Sequence, residues 1–294
     1  MASEDAFHAR SWLFAPGDSE KKMEKAALGP ADIALLDLED AVAESEKPKA
    51  REMIPAFLEA HPDLRHRLWV RINPLQGPFA LTDLAAVVRA RPGGIMLPKS
   101  RGRADAERLD HYLSALEAQA GIEVGSTKVI ALLTETAESM FTCGDYADTP
   151  RLASLTWGAE DLADALGAMS NREADGRFGF TYEMARSFCL LGATAAGVPP
   201  VDTIFGDFRD EAGLRAYAAQ SRRMGFRGML AIHPGQVEPI NEAFTPSHEE
   251  IAAAQEIVDL FAANPEAGVI GHKGAMLDRP HLARARQVLA QVRR

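Results

Sequence analysis

Cysteine is nearly absent: only Cys143 and Cys189 occur in 294 residues, far apart and outside any CxxC or Cys/His spacing. That pair builds neither a disulfide framework nor a thiolate zinc site, and the usage fits a reducing, cytoplasmic compartment. Long apolar runs are absent too. Nothing approaches the roughly 20 residues of a membrane span, and residues 1–10 carry acids where a secretory signal would carry an apolar segment. Positive charge is in deficit, with 32 Lys and Arg against 42 Asp and Glu and a formal charge of −10. This balance excludes a uniformly basic surface, and with it general binding to nucleic acid or to anionic membranes. No internal repeat or low-complexity tract is present. The expectation is a soluble, untargeted protein that works on small molecules.

What the chain does have is apolar content, 47%, enough for a large core within one main domain. Short apolar runs recur at residues 12–15, 33–38, 68–72, 94–97, 129–133, 152–157, 203–205 and 228–232. Between them, stretches such as 19–28, 45–60, 104–120 and 211–224 are rich in Ala, Glu, Lys and Arg, with apolar residues three and four apart. Strands alternating with amphipathic helices imply a parallel sheet with crossover helices. Eight strands favour a closed (β/α)8 TIM barrel, and no Gly-rich phosphate loop follows the first strand to support a dinucleotide fold. Residues 167–180, with Asn171, Gly176 and Gly179, are too irregular for a helix and read as a loop over the strand ends. After the eighth strand come a helical run at 247–263, a Gly-punctuated stretch at 268–274 and a last helix from Pro280. We therefore expect a catalytic barrel over residues 1–243 and a C-terminal helical segment, 244–294, acting as a lid or oligomer contact.

A (β/α)8 barrel places its active site at the C-terminal ends of the strands. The residues expected there are Asp37, Glu39 and Asp40, then Arg71 and Asn73, Lys99, Glu135, Glu160 and Asp161, Asp207, and His233. Some must be helix caps or structural ion pairs; Asp207 and one acid of "DLED" are the first candidates. Glu135, at the end of the apolar run 129–133, raises the sharpest question, because a carboxylate there needs solvent, a partner or a cation. Glu135 and Asp161 end adjacent strands, and two acids in one mouth repel unless a cation or proton lies between them. Oxygen-only ligation of this kind suits Mg2+. An ion pair of Glu135 with Arg71 or Lys99 is the alternative.

Eight strings occur in order: "RSWLFAPGD" (10–18), "LLDLEDAV" (35–42), "VRINP" (70–74), "MLPKS" (96–100), "TETAES" (134–139), "WGAEDL" (157–162), "AIHPGQ" (231–236) and "MLDRP" (276–280). With them the chain resembles the citrate lyase beta-subunit-like family of the HpcH/HpaI aldolase superfamily, which includes malyl-CoA and citramalyl-CoA lyases. The resemblance implies a Mg2+-dependent carbon–carbon lyase. Its substrate would be a 3-hydroxyacyl-CoA with a carboxylate at carbon 3, and its products acetyl-CoA and a 2-oxo acid, pyruvate or glyoxylate. Glu135 and Asp161 would hold the metal, and Glu135 would also face the substrate. Arg71 would grip the 2-oxo acid and act in catalysis. Asp278 would handle the acetyl-CoA proton, delivered to a neighbouring subunit, although it also reads as the cap of the last helix. Lys21 and Lys25, at i and i+4 on the first helix, and Arg10 would meet the CoA phosphates. A solvated helix face with local Glu/Lys pairs is the competing reading for the lysines.

Relatives often carry "DG" before the last motif, where this chain has His272-Lys273-Gly274. A trimer or a dimer of trimers is the assembly expected by resemblance. Two other functions fit the same site: a citrate lyase beta subunit acting inside a multi-subunit complex, and a malyl-CoA thioesterase or malate synthase-like activity.

Overall fold

The computed structural model describes residues 8–292, and these form two compact units that divide between Glu242 and Ala243. The first unit holds eight parallel strands: β1 (Ser11–Pro16), β2 (Ile33–Asp37), β3 (Leu68–Arg71), β4 (Gly94–Leu97), β5 (Lys128–Leu133), β6 (Leu152–Trp157), β7 (Pro200–Asp202) and β8 (Gly228–Ala231). They pair in chain order, and β8 returns to β1, closing the expected (β/α)8 barrel. Its helices are α1 (Glu20–Ala27), α2 (Lys47–Ala60), α3 (Ala80–Val87), α4 (Arg103–Gln119), α5 (Glu160–Leu166), α6 (Phe180–Ala195) and α7 (Glu211–Met224); α8 (Val237–Phe244) ends it. The β5–β6 crossover departs from the pattern, passing through a single 3₁₀ turn at Glu138–Phe141.

Strands covered by helices outside and packed side chains inside are buried on both faces, so they read as unbroken apolar runs. β2, β3 and β4 are buried at every position. The barrel interior is centred on Trp12 and Trp69, edge to face at 5.2 Å between ring centroids, with Ile33, Leu35, Met96, Ile130 and Leu230 around them. Gly94 makes room for this pair. A Cβ there would sit 2.3 Å from the Trp69 ring.

One strand lies three residues earlier than expected. Residues 203–205 are not β7; Pro200–Asp202 are. Proline lacks an N–H, but here the carbonyls do the pairing: Leu155 N donates to Pro199 O and Arg227 N to Pro200 O. The strand then ends on a fully buried acid, Asp202, which accepts from Trp157 Nε1 at 2.6 Å, Arg186 Nη2 at 2.6 Å and Ser221 Oγ at 2.5 Å. A three-residue strand that opens on a proline, behind Pro199, and closes on an acid carries no apolar signal. The segment from Gly167 to Gly179 is irregular, as expected, with one isolated bridge between Arg172 and Phe178.

In the second unit, α9 (His248–Ala263) starts from a capping box of Ser247 and Glu250, as the sequence signals. The Gly-punctuated stretch is a hairpin the sequence reading did not foresee, β9 (Val269–His272) against β10 (Ala275–Asp278), followed by α10 (Arg279–Ala290). Its turn is Lys273-Gly274, at φ 49° and 79°. A two-residue hairpin turn of this hand favours Asn or Asp before the Gly, so the lysine at this position costs a little. Phe261, Leu277 and Leu282 form the small core of this unit.

Candidate active site

The β2–β3 register sets Asp37 beside Arg71 at the C-terminal mouth of the barrel. Arg71 donates from Nε to Asp37 Oδ1 at 2.8 Å and from Nη2 to Oδ2 at 2.6 Å, a bidentate fork. The carboxylate also accepts from the backbone of Glu39 at 2.9 Å and Ala41 at 3.0 Å, so the turn after β2 is wound around it. Burial alone would raise the Asp37 carboxyl, but the Arg71 charge and hydrogen bonds hold it below its ordinary range. The first acid of "DLED" is thus structural. The remaining nitrogen of Arg71, Nη1, faces Glu39 at 2.9 Å and Asp40 at 3.7 Å.

Glu135 is buried, and its Oε2 accepts from the Lys99 backbone N–H at 2.5 Å. Two left-handed residues bring this about: Lys99 at φ 49° and Thr134 at φ 65°. For a β-branched residue such as Thr134 that conformation is strained, and strain of this kind persists where the surroundings enforce it. Gly158 completes the fit, because a Cβ there would stand 3.2 Å from Glu135 Cγ and Oε1. The alternative ion pairs are not made. Glu135 meets Lys99 through the backbone, while the Lys99 ammonium reaches Glu39 Oε1 and Asp161 Oδ1, each at 2.8 Å.

Five carboxylates, Asp37, Glu39, Asp40, Glu135 and Asp161, therefore share one mouth with two cations, Arg71 and Lys99. Burial, opposed by Arg71, pushes Glu39 up to about 7, with Asp40 adding to the rise. Glu135 is raised well above its ordinary value, first by burial and then by the charges of Glu39 and Asp161. Glu39 Oε2 lies near Arg71 Nη1 but off its N–H direction, and is left without a hydrogen bond. Carboxylates that raise one another in this way fit a cation or a proton held between them. No three His, Cys, Asp or Glu side chains among the described residues are already gathered as a ligand set. A site with few protein donors and oxygen ligands only is the kind that hard Mg2+ accepts, because it keeps waters.

Behind the mouth, Lys47 on α2 is buried and donates to Leu38 O at 2.7 Å, Glu39 O at 2.8 Å and Asn73 Oδ1 at 2.8 Å. Asn73 in turn donates to Asp83, which Arg51 holds at 2.6 Å. This network pins the Glu39 backbone. Sequence reasoning missed it, since a lysine in "EKPKA" reads as a solvated helix residue.

The other expected residues scatter. Lys21 and Lys25 are exposed on α1, which begins just past the C-terminal end of β1. Arg10 requires a correction: it precedes β1 and so lies at the opposite mouth, across a strand of six residues or roughly 20 Å. There its N, Nε and Nη2 bind Asp32 at 2.7, 2.9 and 2.9 Å. Asp207 closes a local turn to Arg209 N, and His233 caps the turn at Pro234–Gln236 while stacking on Phe208. Asp278, in the second unit, caps α10 through a capping box with His281 and also binds His281 Nδ1 at 2.5 Å.

Residues 10–234 match the family described as HpcH/HpaI aldolase/citrate lyase. The chain belongs to this family. A (3S)-malyl-CoA thioesterase of Cereibacter sphaeroides is 35% identical over 285 residues, spanning 96% of this chain and 94% of its own. The citrate lyase subunit beta of Haemophilus influenzae is 33% identical over 288 residues, with 97% of each chain covered. Among solved structures, CitE of Mycobacterium tuberculosis in complex with magnesium, acetoacetate and coenzyme A matches with a TM-score of 0.78 at 33% identity, covering 97% of this chain and 98% of that one. The family's aldolase and lyase class is the enzyme class expected from the eight motifs.

Replacing Lys47 by Met would leave Leu38 O, Glu39 O and Asn73 Oδ1 buried without their donor. At about 1–3 kcal/mol for each unsatisfied buried group, partly relieved by relaxation, Lys47→Met should lose about 3 kcal/mol in urea denaturation. A change below about 0.5 kcal/mol, the usual range for a surface substitution, would show the network to be incidental.

Proposed function

We propose that this chain is a cytoplasmic, Mg2+-dependent carbon–carbon lyase that cleaves a 3-hydroxy-3-carboxyacyl-CoA, citramalyl-CoA or malyl-CoA, into acetyl-CoA and pyruvate or glyoxylate. One observation carries the reading: Glu135 and Asp161 stand close enough for the charge of Asp161 to raise the buried Glu135 carboxyl, in the same C-terminal mouth as Arg71, where five carboxylates share two cations. Glu135 and Asp161 would hold the metal. When bound, Mg2+ supplies Lewis-acid polarisation to the oxygens of the 2-oxo acid portion. Arg71 orients that portion and stabilises the developing alkoxide through Nη1, its fork to Asp37 being fixed. The bond between carbons 2 and 3 breaks, its electron pair passes to the acetyl-CoA enolate, and the enolate takes up a proton.

Asp278 is the group we assign to that proton. His281 holds its carboxyl below the ordinary range, so at neutral pH it is ionised, the form that removes the methyl proton in the condensation direction. In cleavage the C3 hydroxyl gives up its proton to solvent as the carbonyl forms, and Asp278, protonated in turn from solvent, passes one to the enolate carbon. Lys21 and Lys25, exposed on α1, would meet the CoA phosphates. Cys143 and Cys189 are both free and buried, in keeping with a reducing compartment. Exposed Phe180, Met184, Phe188 and Leu191 line one side of α6. This apolar stripe supports a homo-oligomer, a trimer or dimer of trimers, in which the C-terminal unit serves as lid.

A second reading, hydrolysis of malyl-CoA to malate and CoA, is favoured by the 35% identity to the thioesterase. Product analysis over a panel of CoA thioesters separates the two: the lyase yields acetyl-CoA and a 2-oxo acid, the thioesterase free CoA and the intact hydroxy acid.

Glu135→Gln and Asp161→Asn should each lower Mg2+-dependent turnover by about 100-fold or more, the loss of several kcal/mol of transition-state stabilisation. Their melting temperatures in EDTA should hold or rise, because each removes a charge from a repelling group. Full turnover at ordinary Mg2+ in either variant would remove the residue from the metal site. Asp278→Asn keeps a good N-cap, so it should fold normally and bind Mg2+, yet fail to exchange acetyl-CoA methyl protons with deuterium. Mixed oligomers of Asp278→Asn and Glu135→Gln chains should regain part of the activity if Asp278 serves a neighbouring subunit. No recovery in verified mixed oligomers would assign the proton to its own subunit.

A further inference from the structure

The end of β4 aims a cation at carboxylates that a metal would also need. Lys99 Nζ stands 2.8 Å from Glu39 Oε1, 2.8 Å from Asp161 Oδ1 and 3.9 Å from Asp40 Oδ2. Its backbone is fixed in the left-handed region at φ 49°, with the N–H on Glu135 Oε2. Lysine rarely adopts that conformation. One residue thus engages Glu135 by its amide and Glu39 and Asp161 by its ammonium. An ammonium donates three hydrogen bonds and accepts none, so it cannot become a metal ligand. A dication drawn to the same Asp161 carboxylate is repelled by Lys99 twice as strongly as a second univalent charge would be. The Lys99 side chain is 27% exposed, on a stem of four methylenes that can swing, whereas Glu135 and Glu39 are buried and held.

We propose that Lys99 is a built-in competitor for the metal: its ammonium neutralises Glu39 and Asp161, and it releases Asp161 when a divalent cation binds there. The inference rests on the metal reading of Glu135 and Asp161. It makes Lys99 a positioning residue that tunes metal affinity and holds the repelling carboxylates together when Mg2+ is scarce. Neither role follows from a lysine that only braces the barrel mouth.

The test uses the full chain, stripped with EDTA and titrated with MgCl2 by calorimetry, with melting followed in EDTA and in saturating Mg2+. Lys99→Met keeps the length of the side chain and removes its charge. It should bind Mg2+ at least about tenfold more tightly than wild type, melt lower than wild type in EDTA, and gain more from saturating Mg2+. In the wild type, labelling of Lys99 by an amine-reactive acetylating reagent, read by peptide mass spectrometry, should rise several-fold on adding Mg2+. That measurement stands even if Lys99→Met fails to fold. Equal or weaker Mg2+ binding by the variant, or labelling that stays level or falls with Mg2+, would overturn the competition while leaving the metal site intact. Wild-type chain that binds no Mg2+ would instead overturn the metal reading, and this inference with it.

Discussion

Carboxylates crowded into a partly buried barrel mouth repel one another, and the polar architecture around them is arranged to answer that repulsion. Asp37 is neutralised outright by the two-nitrogen fork of Arg71. Glu39 shares the last nitrogen of Arg71 with Asp40 and takes the ammonium of Lys99, which also reaches Asp161. Glu135 receives only a backbone N–H, and that contact depends on strained backbone at Lys99 and Thr134 and on the missing side chain of Gly158. Apart from that of Asp37, each neutralisation is partial. Unpaired buried charge costs several kcal/mol, so carboxylates left short of cations in this way fit a cation or a proton held between them.

The barrel itself was readable because its cause is periodic. Strands buried on both faces leave unbroken apolar runs, and the amphipathic stretches between them mark the helices. Reading failed where the cause was not periodic: β7 opens on Pro200 and closes on Asp202, and the Lys273-Gly274 hairpin turn sits in a glycine-rich stretch. At the site, the rule that barrel chemistry lies at strand ends brought Arg71, Lys99, Glu135 and Asp161 forward together. It could not say which partner each would choose, because that depends on side-chain reach and left-handed backbone that leave no pattern in composition. Arg10 shows the limit from the other side, since it lies near α1 in sequence and at the far mouth in space. Lys47 shows another, a buried lysine whose three acceptors come together only in space, from the turns that follow β2 and β3.

Family membership and geometry constrain different things. The match over residues 10–234 and the relatives at 33–35% identity establish the family to which the chain belongs. They include both a lyase subunit and a thioesterase, and those reactions differ in whether an enolate or water is handled at the thioester. The metal site proposed for the mouth would serve either reaction. Under the proposed mechanism discrimination would lie instead at Asp278, which caps the last helix and pairs with His281, and at the groups that admit or exclude water.

The claim at the centre is that the mouth's excess negative charge is a divalent-cation site shared by Glu135 and Asp161. Crystals of the wild-type chain soaked in Mn2+ and measured at the manganese absorption edge would test it directly through the anomalous difference map. One strong peak per chain in contact with carboxylate oxygens of both Glu135 and Asp161 is the predicted result. A peak that contacts neither residue, or no peak at a Mn2+ concentration that supports turnover, would contradict it.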